Sequence, residues 1–363
     1  MDQTVTKDDC CTASETRDDN YDLIVVGAGS AGFSASITAA DAGKRVALIG
    51  HGTTGGTCVN VGCVPSKAMI RAAEAVHGGA SAARFPGVEP CDHAVDWGAV
   101  VQGTTDLVEE MRHKKYIDLL PAYKSVTYIE DGPARLVEGG VAVGGRVISA
   151  PRVLIATGSR PHLPAIEGID TVEPLDSTDL LTLPDRPESI LVLGGGYIGC
   201  ELAQMASRLG VKVTLVTRSR LLPGAEPEVA QALTQALKAE DIAVETGLAY
   251  VSVAKAAGGV NLIVERGGKT EDLTAERLVV TTGRIANSEN LGLEELGIET
   301  DARGSIKVGQ DMATTRAGVW AAGDVTDRDQ FVYMAAYGAK VAINNALGLE
   351  QMRYDNAAMP WVV

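Results

Sequence analysis

The sequence predicts an α/β protein with two units of parallel strands and helices, the second unit inserted into the first. Two observations predict this architecture. An apolar strand that runs straight into a Gly-x-Gly-x-x-Gly turn and then a helix occurs twice, and apolar strand-like segments return after the second copy. The 363 residues provide room for two domains of ~150 residues.

The first copy opens at residue 21. A continuous apolar run over 21–26 is followed by the glycine turn 27–32, a small-residue helix over 33–42 and a second apolar run over 45–49. This order is typical of a Rossmann-like dinucleotide-binding unit. The unpaired N–H groups and the dipole at such a helix start favour a pyrophosphate, which glycine lets approach closely. The candidate phosphate-binding residues are Gly27, Gly29 and Gly32.

The second copy repeats this order at the same spacing. It comprises the strand 190–193, the turn 194–199, the helix 200–209 and the strand 211–216. One such turn is weak evidence, because glycine turns without a ligand are common. Two equally spaced copies, each between a strand and a helix, favour two dinucleotide sites. The candidates here are Gly194, Gly196 and Gly199.

Later segments indicate how the chain divides. Strand-like segments end at Gly158, Gly283 and Asp324, and a helical run covers about 332–347. A Pro- and Asp-rich stretch marks the crossing into the second unit, and residues near 284–290 mark the crossing back. We predict a flexible acidic tail over 1–20, the first unit over 21–160, the second over 161–285, the return of the first over 286–352 and a final segment over 353–363.

Composition excludes several classes of function. The chain carries 32 Lys and Arg against 47 Asp and Glu, a net charge of −15, and only 4% aromatic residues, so no nucleic-acid partner is expected. No apolar run reaches the ~18 residues of a membrane span, and the polar N-terminus is unlike a signal peptide. We expect a cytoplasmic, reducing location, where paired members of the six cysteines are catalytic or metal-binding rather than structural.

The residues at the end of each unit's second strand predict the ribose chemistry. In the second unit they include Arg218 and Arg220 and no acid, which favours the 2′-phosphate of NADPH over the 2′-hydroxyl of NADH. The alternative is that both are solvated surface arginines. In the first unit the corresponding residue is Gly50, so the usual ribose-binding acid is missing there.

Cys58 and Cys63 stand between the two units, five residues apart. On a regular helix they would be separated by ~7.5 Å of rise, beyond the ~4.4–6.8 Å between the Cα atoms of a disulfide. Gly62 offers the bend that would bring them together, and Pro65 suits the first turn of a helix. Cys63 would then lie at a helix N-terminus, which favours its thiolate and a dithiol–disulfide switch. The alternatives are a structural disulfide, a zinc site and two unrelated core cysteines.

Taken together, the motifs are similar to those of a known protein family. GTCVNVGCVPSK after GAGSAG, with GGGYIG later and AAGD near the end, resembles the FAD-dependent pyridine nucleotide–disulfide oxidoreductases from residue 21 to residue 363. Within that family, the stretches 55–73 and 329–336 resemble the mercuric reductases most and the dihydrolipoamide dehydrogenases next. The resemblance implies FAD on the first unit, NADPH on the second, and Hg(II) or a small disulfide as substrate.

The resemblance also implies roles for individual residues. Cys63 resembles the thiol that faces the flavin, and Cys58 the thiol that meets substrate. Lys67 resembles the lysine beside flavin N5, paired with Glu201, and Tyr197 the aromatic flap that moves when the nicotinamide enters. Alternatively, Lys67 and Glu201 form a surface pair and Tyr197 is a core ring. Further cofactor-binding candidates are Gly56, Thr57 near the flavin, Thr157, Gly158, Gly283, Arg284 and Asp324 on the ribityl chain.

Two features depart from the family's pattern. Family members form homodimers through a C-terminal domain, and residues 353–363 resemble only the start of it, so we expect an incomplete chain whose interface domain is absent. Such a chain could act as a cofactor-binding module with diaphorase activity alone. The vicinal pair Cys10 and Cys11 is either a soft-metal collector that feeds Cys58 or two ordinary reduced surface thiols.

Overall fold

The structure is a computed structural model that describes residues 20–326, 328–360 and 362. Its α-helices are α1 (Ser30–Asp41), α2 (Gly56–Asn60), α3 (Cys63–Ala80), α4 (Trp97–Lys115), α5 (Ser177–Leu181), α6 (Tyr197–Arg208), α7 (Pro227–Ala239) and α8 (Val332–Leu347). Short 3₁₀ helices cover Ser81–Arg84, Ile117–Ala122, Ile169–Thr171, Glu294–Leu296 and Asp324–Thr326.

The strands lie on both sides of the second glycine turn in the sequence. Before the second glycine turn they are β1 (Leu23–Val26), β2 (Val46–Ile49), β3 (Val126–Ile129), β4 (Arg135–Val137), β5 (Gly140–Val143), β6 (Arg146–Ser149), β7 (Val153–Ile155), β8 (Ser159–Pro161) and β9 (Ser189–Leu193). After it they are β10 (Lys212–Val216), β11 (Ala243–Glu245), β12 (Ala249–Ala256), β13 (Gly259–Arg266), β14 (Lys269–Ala275), β15 (Arg277–Val280), β16 (Arg284–Ala286) and β17 (Val319–Ala321).

The first unit is a five-stranded parallel sheet in the order β17-β7-β1-β2-β3. Its strands β1 and β2 are apolar at every position and buried throughout, as expected for a parallel sheet covered on both faces. Helices α1 and α8 pack together against one face. A small antiparallel sheet of β4, β5 and β6 contributes apolar side chains to the opposite face.

The second unit has a four-stranded parallel sheet in the order β11-β10-β9-β15. The antiparallel sheet β12-β13-β14 shares a buried apolar cluster with it on one side, while α6 packs on the other side. Helix α6 also packs against α3 of the first unit, which joins the two units beside their glycine turns. The predicted α/β architecture with two parallel-sheet units is confirmed.

The two crossings between the units lie side by side. Strand β8, where the chain leaves the first unit, pairs antiparallel with β16, where it returns, and Ser159 lies opposite Ala286. These strands tie the ends of both parallel sheets together near the glycine turns. Within the described residues, no helix combines the length and the hydropathy that a membrane crossing requires.

Candidate active site

One large cavity of about 1520 Å³ lies where the two units meet. Both glycine turns, both cysteines at the start of α2 and α3, and the crossing strands β8 and β16 contribute to its walls. The carboxyl ends of the parallel strands face it, which is where doubly wound sheets bind their ligands. The sequence motifs that were identified separately therefore line one space.

The two glycine turns have the same backbone geometry. Gly27 and Gly194 each have φ of +117°, which disfavours any residue with a side chain. A Cβ on Gly32 would lie 1.8 Å from the carbonyl oxygen of Gly27, and one on Gly199 would lie 1.9 Å from that of Gly194. Strand and helix can pack this closely only because glycine occupies these positions.

The helix starts behind these turns are available to a ligand. Gly29 and Gly196 cap α1 and α6 with extended backbone, and within the described residues neither helix has a side-chain cap hydrogen bond. The first N–H groups of both helices therefore face the cavity without a competing side chain. This arrangement fits a dinucleotide pyrophosphate at each turn.

The cysteine segment packs directly on the first turn. Gly56 opens α2 with φ of +70°, and a Cβ on it would lie 2.8 Å from the Cα of Gly29. Thr57 follows on the cavity wall. The side-chain amide of Asn60 donates to the carbonyl oxygens of Thr54 and Gly56 at 2.9 and 2.8 Å, which holds this segment in place.

Gly62 makes the bend between the cysteines. Helix α2 ends at Asn60, α3 begins at Cys63, and a Cβ on Gly62 would lie only 3.0 Å from the carbonyl oxygen of Thr57. The bend brings the Cys58 and Cys63 thiols within hydrogen-bonding distance, both as free thiols on the cavity wall. The structure thus brings together the pair that a regular helix would separate.

The two thiols differ in their acidity. The hydrogen bond from Cys58, followed by the positive charge of Lys67, lowers the pKa of Cys63 to about 6 against the opposing effects of burial and Glu201. The same hydrogen bond, followed by burial, raises the pKa of Cys58 well above its usual range. The two shifts have opposite directions, so they favour a pair that shares one proton, with the negative charge nearer Cys63.

Lys67 and Glu201 connect the two units at the cavity. The Nζ of Lys67, one turn after Cys63 on α3, lies 2.6 Å from Oε2 of Glu201 on α6. Both line the cavity, and the Glu201 side chain is largely buried while that of Lys67 is half exposed. The pair is therefore a cavity feature between units rather than a pair on an outer surface.

Tyr197 stands at the first position of α6 with 43% of its surface exposed. It lines the cavity, and its ring centroid lies 6.4 Å from that of Phe331. The expectation of a core ring does not fit this exposure. The position, at the second glycine turn and on the cavity that the cysteines also line, suits a side chain that covers the ligand path.

Asp324, Ser159 and Arg284 form a bonded group where the crossing strands meet the first sheet. The Ser159 hydroxyl donates to Oδ2 of Asp324 at 2.7 Å and accepts from Nε of Arg284 at 2.7 Å. Thr157 donates to the carbonyl oxygen of Asn287 at 2.7 Å. All of these residues line the cavity, together with Gly158 and Gly283.

The two candidate phosphate-binding arginines separate in the structure. Arg218 is exposed and lines the cavity. Arg220 instead turns back on its own loop, where its Nη2 donates to the carbonyl oxygens of Pro223 and Ala225 at 3.0 and 2.6 Å. Contact between Arg220 and a nucleotide phosphate stays a prediction: the Arg220 guanidinium bonds to the turn after it, whereas Arg218 lines the cavity.

Cys10 and Cys11 lie outside the described residues. Among the described residues, no three His, Cys, Asp or Glu side chains gather in a metal-binding cluster. Cys91 is an exposed free thiol and Cys200 is a buried one.

Aromatic residues from distant segments complete the site and were missed in the sequence. The Tyr116 hydroxyl lies 3.0 Å from that of Ser30, and its ring packs edge-on against Phe33. Tyr128 lies on the wall beside Gly50, and Phe331 on the wall beside Tyr197. No motif surrounds Tyr116 or Tyr128, so the sequence carried no signal for them, whereas Phe331 lies within the stretch 329–336 that carries the family resemblance.

The fold and this site define a class: an oxidoreductase with two dinucleotide-binding units and a dithiol at their junction. A family model described as pyridine nucleotide-disulphide oxidoreductase matches residues 21–342. This chain belongs to that family. Membership agrees with the predicted cofactors, FAD and NADPH, which proteins of this family use, and the two turns described above fit them.

The individual relatives that match this chain include several mercuric reductases. The chain is 40% identical to a mercuric reductase from Streptomyces lividans over 94% of its length and 39% identical to one from Staphylococcus aureus over 95%. It matches 73% and 63% of those proteins, and 54% of a 41% identical mercuric reductase from Bacillus cereus. The chain thus spans between half and three quarters of the length of these relatives.

Solved structures share the fold. The HOCl-induced flavoprotein disulfide reductase RclA from Escherichia coli is 27% identical, with a TM-score of 0.80 over 93% of this chain and 73% of that chain. The Cu(II) complex of the same reductase gives a TM-score of 0.80 over 92% of this chain and 73% of that chain.

Proposed function

We propose that this chain carries the electron-transfer site of a mercuric reductase: FAD binds the first unit, NADPH binds the second, and electrons reach Hg(II) through Cys58 and Cys63. One observation carries the proposal, namely that Cys58 and Cys63 lie together on the wall of the cavity that both glycine turns line. The hydrogen bond from Cys58 and the charge of Lys67, which lower the pKa of Cys63, support it. Mercuric reductases from several bacteria are 34–41% identical to this chain. The product is Hg(0), and the reducing cytoplasm is the expected compartment.

The first glycine turn would hold FAD and the second would hold NADPH, and the flavin would supply the two-electron chemistry that links the nicotinamide to a Cys58–Cys63 disulfide. The residues of the chain determine where the resulting charge rests. The Lys67 ammonium stabilises the Cys63 thiolate, and Glu201 on α6 holds that ammonium at 2.6 Å. Cys58 keeps the remaining proton and donates it toward Cys63.

The reduced pair is suited to a soft cation. Thiolate sulfurs select soft metals, and Hg(II) bound to both sulfurs displaces the proton held by Cys58. Reduction of that metal takes two further electrons, so Hg(0) leaves and both sulfurs remain as thiolates until Cys58 is reprotonated. Each Hg(II) therefore consumes one NADPH once the dithiol is formed.

Arg218 supports NADPH as the electron donor. Its exposed guanidinium lies on the cavity wall just after β10, where the ribose of a dinucleotide on the second turn belongs. A planar cation binds a 2′-phosphate through charge-assisted hydrogen bonds. Arg220 reaches the phosphate only if it gives up its two bonds to its own loop.

A disulfide is the second candidate substrate, because the likeness to a flavoprotein disulfide reductase favours it and the same dithiol would serve. The two candidate substrates are distinguished by measuring NADPH consumption in two reactions. One contains Hg(II) in excess small thiol, and the other contains lipoamide or another small disulfide. NADPH consumption that depends on Hg(II) supports the proposal. Strong lipoamide reduction without mercury-dependent turnover would replace the mercuric reductase proposal with a disulfide reductase. Flavin-dependent diaphorase activity alone would indicate a cofactor-binding module.

Homodimer formation, expected from the family, is measured in the same preparation by light scattering.

A further inference from the structure

The end of β2 carries an unusual arrangement in the first unit. An acid normally stands there and binds a ribose hydroxyl of the dinucleotide. Here the position is Gly50, and a Cβ on it would lie 2.2 Å from the hydroxyl oxygen of Tyr128. The phenol of Tyr128 therefore occupies the space in which a side chain at position 50 would begin.

Tyr128 is held there by its strand and by two polar neighbours. It lies on β3, paired with Leu48 of β2, and it lines the cavity. Its hydroxyl donates to Oε1 of Glu130 at 3.0 Å, and its oxygen lies 2.7 Å from Oγ1 of Thr54. Since the single phenolic proton goes to the carboxylate, Thr54 is the donor in the second contact.

Burial, with Glu130 adding to it, raises the pKa of Tyr128, so the phenol keeps its proton toward the carboxylate. The phenolic oxygen is made more electron-rich by a charged acceptor on its proton, which strengthens it as an acceptor for another hydroxyl. The negative charge of Glu130 is thereby relayed to the place where the missing acid would act.

The second unit shows that this use of a tyrosine is not general to the fold. There Tyr250 lies beside the equivalent strand end, and its hydroxyl donates to the backbone carbonyl oxygen of Val216 at 3.0 Å. Both tyrosines line the cavity, but the Tyr250 hydroxyl gives its proton to the backbone, whereas that of Tyr128 bonds to the side chains of Glu130 and Thr54.

We propose that Tyr128, held by Glu130, replaces the missing acid at Gly50 and accepts a hydrogen bond from the 2′-hydroxyl of the adenosine ribose of FAD. The inference rests on the proposed placement of FAD in the first unit. It makes the positions 50 and 128 interdependent, since an acid at 50 and the present position of the Tyr128 ring exclude each other.

The test measures the dissociation constant of FAD from the apoprotein by flavin fluorescence, using FAD and an analogue that lacks the adenosine 2′-hydroxyl. Tyr128→Phe should bind FAD about 5- to 20-fold more weakly, as expected for one hydrogen bond to a charge-backed acceptor. The analogue should bind wild-type protein more weakly by a similar factor and should lose little more in the variant. Glu130→Gln should lose less than Tyr128→Phe, and the two losses should not add.

Tyr123→Phe is the matched control, because Tyr123 precedes the same strand but lies outside the large cavity. It should leave both dissociation constants unchanged. The pair of changes Gly50→Glu and Tyr128→Ala should restore FAD binding to within about 3-fold, while Gly50→Glu alone should not, because the ring blocks it.

Equal losses for FAD and the analogue in Tyr128→Phe, or full affinity of wild-type protein for the analogue, would overturn the inference. Wild-type protein that takes up no FAD would instead contradict the proposed function, so the two failures are distinguishable.

Discussion

The two dinucleotide-binding units have the same glycine-turn geometry, which suits a phosphate, and they differ in the segments that follow their second strands. Both turns have the same φ at their first glycine and the same close approach at their last one. After the second strand they diverge: the first unit continues into the cysteine segment 55–63, and the second into the arginine loop 218–225. Under the proposed function, phosphate recognition is a property of the shared turn, while the redox chemistry and the nucleotide choice belong to the segments after it.

The largest effect is expected from substituting a redox cysteine, because only the first unit carries the cysteine pair. Cys63→Ser should lower NADPH consumption with Hg(II) or a disulfide by at least ~10³-fold, because the thiolate is the reacting group. FAD should remain bound, and NADPH should still reduce it. Cys91→Ser, an exposed thiol away from the cavity, is the control and should retain wild-type turnover. Equal losses in both variants would contradict the assignment.

Each glycine turn can be disrupted separately by substituting its last glycine. Gly32→Ala and Gly199→Ala each place a methyl group within 2 Å of a backbone oxygen, a collision worth roughly 1–3 kcal/mol or more. Gly32→Ala should give nearly colourless protein with little FAD. Gly199→Ala should stay yellow and show a KM for NADPH raised about 10- to 100-fold by the same estimate.

The control for this pair is Gly78→Ala, since a Cβ at Gly78 in α3 meets open space. Absorbance at the flavin band and a steady-state KM for NADPH measure both outcomes. If Gly199→Ala lost flavin and Gly32→Ala lost only NADPH affinity, the assignment of cofactors to units would be reversed.

The arginine loop 218–225 tests which residue of the second unit determines the preference for NADPH over NADH. Arg218→Ala should raise the KM for NADPH about 10-fold, as expected for loss of a charge-assisted hydrogen bond, and leave that for NADH nearly unchanged. Arg220→Ala should change the ratio by less than about 2-fold in the conformation described, because its guanidinium bonds to its own loop. A larger effect of Arg220 would show that the loop rearranges around the nucleotide.

The smallest expected effect concerns the ion pair between the units. Lys67 lowers the pKa of Cys63 and Glu201 raises it. Lys67→Met should therefore shift the pH midpoint of Cys63 alkylation in reduced protein upward from about 6, and Glu201→Gln should shift it downward. Since the thiolate is the form present above the midpoint, Lys67→Met should slow alkylation most near pH 6. Shifts in the same direction for both variants would show that the pair acts only through packing.

Most of the framework could be predicted from patterns within about 30 residues of one another. Each strand, glycine turn and helix is a local signal, and the bend between the cysteines was indicated by Gly62 and the start of α3. The position of the Arg220 guanidinium has a local cause as well, since backbone carbonyls three and five residues further along its loop compete for it. Composition and motif spacing carry no information on that competition.

The order of strands, turns and helices, the doubled phosphate-binding turn and the bent cysteine pair were determined by the sequence alone, because backbone sterics and apolar periodicity act between near neighbours. The resemblance to the family had already paired Lys67 with Glu201, but only the tertiary structure showed the 2.6 Å contact at the cavity wall and the Tyr128 phenol in the space at Gly50. Those contacts join residues far apart in the chain, and they exist because packed sheets and helices bring distant segments within hydrogen-bonding distance. The individual chemistry of each unit is set by those long-range contacts.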